Sequence, residues 1–221
     1  MAKARSDKPG SALIEPTRLF VLRHGQTAWN AEMRIQGHVD EPLNDTGRWQ
    51  AERLAQALAG EELSSIYSSD LQRALATAQP LAAATGAPLV TDPRLRERGF
   101  GRFEGQTYAE IERQWPDEAE RWRRREPGFG PGGGEALLGF YTRCVDTVLE
   151  LAAGHPGQAI AIVAHGGVLD CLYRAAVGVG LSAPRSWQIG NATINRLLFT
   201  GERLQLVGWS DTGHLEGDVL A

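Results

Sequence analysis

The chain has 221 residues, 42% of them hydrophobic and 23% charged, with a formal net charge of −4. That length suits one large α/β domain better than two small ones and supplies apolar side chains for a sizeable core, while the acidic balance leaves no global footprint for nucleic acid or an anionic membrane. No apolar run approaches the roughly 20 residues that span a bilayer. The opening segment MAKARSDKPGSALIEP carries positive charge but no apolar stretch of the kind a secretory leader needs, so residues 1–15 read as a mobile tail and 16–221 as a single domain. Two cysteines, Cys144 and Cys171, sit in helical contexts without metal-ligand spacing. They are expected as a reduced pair in a cytoplasmic protein.

The first predicted element is the run Leu19–Leu22, which stops abruptly at Arg23-His24-Gly25. An apolar run bounded by such a stop reads as a buried central strand, and it delivers its last side chains to the rim where α/β sheets place ligands. An arginine there offers a planar fork matched to phosphate oxygens, and a histidine can serve as nucleophile or proton carrier. The same tripeptide also fits a salt-bridging arginine beside a structural histidine. Next, Asn44-Asp45-Thr46-Gly47 opens a helix through about Leu58, with Asp45 or Thr46 as the expected cap and Leu54 and Leu58 on one face. Ser65–Tyr67 reads as a short strand, Leu71–Ala84 as an alanine-rich helix stopped by Gly86 and Pro88, and Leu89–Thr91 as another short strand.

The segment from about 93 to 134 is less regular. It carries Arg96-Glu97-Arg98-Gly99-Phe100-Gly101, a helix-like TYAEIERQW broken by Pro116, a charged stretch Asp117–Arg125, and the glycine-rich Pro127–Gly134. So long an excursion between core elements is expected to form an inserted cap or substrate-binding region. Glu135–Ala153 then reads as one long helix. Ala159–Ala164 is a second apolar run, and it too stops at a histidine, His165-Gly166-Gly167. A helix to Val177 follows, and a terminal hairpin is expected from Ile194–Phe199 and Leu204–Trp209. Strands alternating with helices predict a three-layer α/β/α sandwich around a doubly wound, mostly parallel mixed sheet. If the two strands that end in histidine are neighbours in that sheet, both imidazoles meet at one rim.

A phosphate gripped by protein alone needs donors converging from several segments, and the sequence offers Arg23, His24, Arg73 and His165. Arg73 falls in the first turn of a helix, where free N–H groups and the dipole favour anions; taken alone, it would instead read as an exposed arginine paired with Asp70. No His, Cys, Asp or Glu cluster has metal-ligand spacing. His38, His155 and His214 read as surface histidines, and Arg121, Arg123, Arg124 and Arg125 as a solvated helix face paired with Glu118 and Glu120.

The stretches LRHGQTAWN at 22–30, LNDTGRWQA at 43–51, YSSDLQRALATA at 67–78, LRERGFGRFEGQT at 95–107, PGGGE at 131–135 and VAHGGV at 163–168 together resemble the histidine phosphatase superfamily, in its phosphoglycerate-mutase-like branch 1. They cover residues from about 18 to 170 in the family's order. The resemblance implies that His24 is the nucleophile that becomes phosphohistidine, that Arg23 and Arg73 hold phosphoryl oxygens, and that His165 hydrogen-bonds the developing charge. It further implies that Asn30 and Gly166 contribute to substrate binding and that Glu97 is the acid and base, with Glu104 as its rival. No cofactor and no metal are expected, and the partner would be a small phosphorylated metabolite rather than nucleic acid or membrane, with a homodimer as the candidate assembly. The activity implied is metal-independent phosphomonoester hydrolysis through phosphohistidine. The alternative is a cofactor-dependent phosphoglycerate mutase, which must keep water from the phosphoenzyme. A binding protein that had lost chemistry would be expected to lack His24 or Glu97; both are present.

Overall fold

The computed structural model describes residues 15–216, so nearly all of the tail expected over residues 1–15 lies outside the described residues. Six strands form one sheet: β1 (Thr17–Arg23), β2 (Leu63–Ser68), β3 (Leu89–Thr91), β4 (Ala159–Ala164), β5 (Ile194–Phe199) and β6 (Leu204–Asp211), in the spatial order β3-β2-β4-β1-β5-β6. The first four pair in parallel, while β5 pairs antiparallel with β1 and β6 antiparallel with β5, giving the mixed, mostly parallel sheet of an α/β sandwich. The helices are α1 (Ala28–Ala31), α2 (Asp45–Leu58), α3 (Gln72–Thr85), α4 (Tyr108–Gln114), α5 (Pro116–Arg123), α6 (Leu137–Ala153) and α7 (Gly166–Val177). Among the described residues no helix is long and apolar enough to cross a membrane.

Successive strand residues point to opposite faces, and that alternation divides the core. Leu19 and Val21 of β1 join Ile160, Ile162 and Ala164 of β4 beneath α6 and α7, where Phe140, Val148 and Leu172 pack. Phe20 and Leu22 join Ala159, Ala161 and Val163 on the other face, against Leu54 and Leu58 of α2 and Ala74, Ala78 and Leu81 of α3. All six residues of β4 are buried, as a strand covered on both faces requires. Each large aliphatic side chain buried there stabilises by about 1.5–3 kcal/mol, which makes the sheet centre a rigid platform for whatever stands at its rim. Cys144 on α6 and Cys171 on α7 belong to the same core, both buried and free.

Several element boundaries differ from the sequence expectation, β2 for one running over Leu63–Ser68 rather than Ser65–Tyr67, and three of the differences have a visible reason. Asn44, not Asp45 or Thr46, caps α2: its backbone is extended, its side-chain oxygen accepts from the Gly47 amide at 2.8 Å, and its amide donates to Gln26 at 2.9 Å. Glu135 stays outside α6 because its amide is committed to the Gly99 carbonyl (2.8 Å) and its carboxylate to Arg143 (2.7 Å). Pro116 does not only end a helix; it occupies the first turn of α5, where its missing N–H costs nothing. The excursion from 93 to 134 also has its own small core. Phe103 stacks on Trp115 and tilts against Trp122, with Ile35, Ile111 and Ala119 packed around them.

Candidate active site

The register that pairs Arg23 with Ala164 leads both strands off the sheet together, and the His24 amide still donates to the Ala164 carbonyl at 3.0 Å. The two imidazoles, His24 and His165, stand 5.2 Å apart between centroids and tilt by 57°. His24 Nδ1 lies 2.7 Å from the Gly25 carbonyl. A carbonyl only accepts, so Nδ1 carries the proton and Nε2 keeps its lone pair. Burial, with Arg73 and Arg23 nearby, pushes His24 well below its ordinary 6.5, so the ring is neutral at physiological pH. His165 is shifted the same way by burial, Arg73, His24 and Arg23. Neither of its ring nitrogens has a partner among the described residues.

The two arginines nearest the histidines, Arg73 buried and Arg23 half-buried, are locked from behind. Arg73 donates to the carbonyls of Val39 and Gly37, both at 2.8 Å, while its Nε has no partner. Arg23 donates to the Ile189 carbonyl at 2.6 Å, and its Nε is likewise unpartnered. Burial pulls Arg23 down to about 10 against the opposing effect of Glu97, which still leaves all but roughly one molecule in a thousand charged at pH 7. Asp70, the sequence-level partner for Arg73, instead binds Arg96 at 2.5 Å; Arg73 is thereby free to face the site.

Glu97 reaches the same cavity from the irregular segment. Its carboxylate accepts from the Arg98 amide (2.8 Å) and from the Gly167 amide in the first turn of α7 (2.9 Å). Gly167 must be glycine for this approach, because a Cβ there would run into Glu97 Oε1 and the Phe140 ring. His38 is exposed, as expected of a surface histidine, and its Nε2 also donates to the Glu97 carbonyl at 2.8 Å and helps fix that loop. The other two are half-buried. His155 bonds Tyr67 at 2.8 Å, and His214 bonds the Ala192 carbonyl at 3.0 Å. Glu104 is absent from the cavity wall and accepts from the His38 and Phe100 amides, a structural position. Asn30 serves two ends at once. Its oxygen accepts from Thr27 and from Asn191, closing the capping box of α1, and the residue lines the cavity.

The cavity measures about 300 Å³, with Arg23, His24, Asn30, Arg73, Glu97 and Gly166 in its wall; His165 stands behind them, against His24. Among the described residues no group of three or more His, Cys, Asp or Glu side chains converges as a metal-ligand set, and the charge lining this cavity is mostly arginine. Sequence reasoning treated the basic cluster as one unit, and the structure divides it. Arg123 and Arg124 pair with Glu120 in solvent, Arg121 pairs with Glu126, and Glu118 is taken by Arg102. Arg125 turns inward to the cavity wall and binds the buried Asp170 at 2.6 Å. Also missed were Arg34, Tyr108, Asp170 and Arg185, all lining the cavity. None of them sits in a run whose residue types point to an anion, so only their long-range placement reveals them.

The model of the histidine phosphatase superfamily (branch 1) matches residues 19–212. Phosphoglycerate mutase-like protein 4 of Arabidopsis thaliana is 40% identical over 92% of this chain and 89% of its own length. The Metal-independent phosphoserine phosphatase of the same plant is 33% identical over 91% and 84%. Among solved structures, the mycobacterial glucosyl-3-phosphoglycerate phosphatase complexed with VO3 superposes with a TM-score of 0.79 at 34% identity, covering 88% of this chain and 99% of that one. A buried strand pair ending in two histidines, arginines behind them and a match over nearly the whole length lead to one conclusion: the chain belongs to branch 1 of the histidine phosphatase superfamily and is an enzyme of that phosphatase and phosphoglycerate-mutase-like kind.

Proposed function

We propose that the chain is a metal-independent phosphomonoester hydrolase that passes the phosphoryl group of a small phosphorylated metabolite through His24. The observation that carries this reading is the His24 ring itself: neutral, fixed as one tautomer by the Gly25 carbonyl, with its Nε2 lone pair left free beside two unpartnered arginine Nε groups. Nε2 attacks phosphorus, a P–N bond forms, and the ester P–O bond breaks. Glu97 gives its proton to the departing alkoxide, a poor leaving group without one. Water then attacks phosphorus, Glu97 takes a proton from that water, and the P–N bond breaks to release phosphate and restore His24. Arg23, Arg73 and Asn30 hold the non-bridging oxygens, and His165 donates to the charge that grows on them. A pre-positioned donor of this kind lowers the barrier by about 2.7–4 kcal/mol.

A mutase reading is favoured by one observation, the 40% identity to a protein named phosphoglycerate mutase-like. Purified protein incubated with 3-phosphoglycerate and a panel of phosphomonoesters, without added metal and at mildly acidic and neutral pH, separates the two. Release of inorganic phosphate supports the hydrolase. Accumulation of 2-phosphoglycerate without phosphate release overturns it in favour of the mutase. An acid quench that destroys, and an alkaline quench that preserves, a labelled phosphoenzyme identifies the P–N bond.

A further inference from the structure

Six arginines line the cavity against two carboxylates, Glu97 and Asp170. Five of the six are anchored. Arg23, Arg73 and Arg98 donate to backbone carbonyls, Arg34 to Glu32 and Glu110, and Arg125 to Asp170 and the Leu181 carbonyl. Arg185, on the segment between α7 and β5, makes no hydrogen bond or ion pair among the described residues, although it faces this cavity. It also lines a neighbouring cavity that shares Tyr108, Trp122 and Arg125 with the first. Its charge is felt by Arg23, which it helps to depress, so this free cation stands within electrostatic range of the phosphate cradle.

Arg34 and Arg125 already have carboxylate partners, and of the four remaining arginine charges Glu97 and a bound phosphoryl dianion together offset only three. The planar fork of an unengaged guanidinium is matched to a carboxylate. We propose that Arg185 recognises a carboxylate on the substrate, carried a few bonds from the phosphoester, so that acidic phosphomonoesters are preferred over neutral ones. This rests on the hydrolase reading only in calling the ligand a substrate; the recognition itself is a matter of binding.

The test compares 3-phosphoglycerate with glycerol 3-phosphate, which has a hydroxymethyl group where the former has its carboxylate. In the unaltered chain the ratio of kcat/KM for the acidic over the neutral ester is expected to be tenfold or more. In Arg185→Gln that ratio falls at least tenfold, chiefly through KM, and Arg185→Lys restores part of it. An unchanged ratio in Arg185→Gln overturns the proposal. If neither ester is hydrolysed, the hydrolase reading fails separately, and calorimetry in a His24→Ala background decides the rest. There the ratio of the Kd for 3-phosphoglycerate to that for inorganic phosphate rises about tenfold on adding Arg185→Gln if the proposal holds, and stays constant if it does not. Because Arg185 is exposed and makes no internal bond, its replacement does not threaten the fold.

Discussion

The ends of β1 and β4 start from nearly the same local instruction, a buried apolar strand stopped by His-Gly, and finish in different chemical states. On β1 the ring is gripped through Nδ1 by the next carbonyl, and the following glycine lets the turn press against Gly47 of α2. On β4 neither ring nitrogen is engaged by protein, and the second glycine after the histidine makes room for Glu97. The first arrangement fixes a tautomer and presents a lone pair. The second leaves a buried donor waiting for a partner, which a desolvated polar group can tolerate only when a ligand supplies the bond. Identical residue types at two strand ends thus acquire different roles from one hydrogen bond.

The sharpest way to break this comparison is to remove each ring in turn. His24→Ala is expected to lower phosphate release about 10⁴-fold or more, equivalent to about 5.5 kcal/mol, while binding of inorganic phosphate stays within about tenfold in calorimetry. His165→Ala should cost about 10²–10³-fold in kcat, the range for losing one charge-stabilising donor, and the phosphoenzyme should still form. A greater loss at His165 than at His24, measured on the same ester, would reverse the two assignments.

Gly167→Ala addresses the third partner. The added methyl displaces Glu97, and kcat should fall about 10–100-fold for alkyl phosphates, as misplacing a positioned group does. The loss should shrink for nitrophenyl phosphate, whose leaving group needs no proton; equal losses on both esters would remove Glu97 from the acid role. The smallest effect concerns stability. Both histidines have folded-state values below 6.5, so below about that pH the unfolded chain binds more protons than the folded one. Stability is therefore fully present above pH 6.5 and declines as pH falls further, by up to about 1.4 kcal/mol per group per pH unit. Thermal unfolding from pH 8 to 5 should show that decline, and His165→Ala should make it shallower. A melting temperature flat over that range would contradict the burial of both rings as neutral species.

What the sequence disclosed and what it withheld follow from the range of the interactions involved. The central strands were legible because runs such as AIAIVA have only one stable destination, a layer covered on both faces, and the convergence of His24 with His165 then needed nothing but parallel neighbours in register. The cap of α2 was misplaced by one residue because Asn44, Asp45 and Thr46 are all competent caps, and the choice was made by Gln26, eighteen residues away. Arg121 to Arg125 read as a uniform solvated face because helical spacing does not show where the helix ends. The chain turns after Arg123, the backbone of Arg125 takes a positive φ of 54°, and its side chain swings towards Asp170. Arg185 carried no local signal at all, since an arginine in a loop between a helix and a hairpin is ordinary until the fold sets it in the same cavity wall as Arg23.

The Tyr108–Trp122 stack, with centroids 4.9 Å apart and planes 8° from parallel, forms part of the wall of both cavities. Indole emission responds to the polarity and charge of its immediate surroundings, and here an indole borders the space a ligand would occupy. One of the chain's six indoles therefore stands where an arriving anion is expected to change its emission, so that titration with unlabelled anions is expected to report occupancy without any turnover.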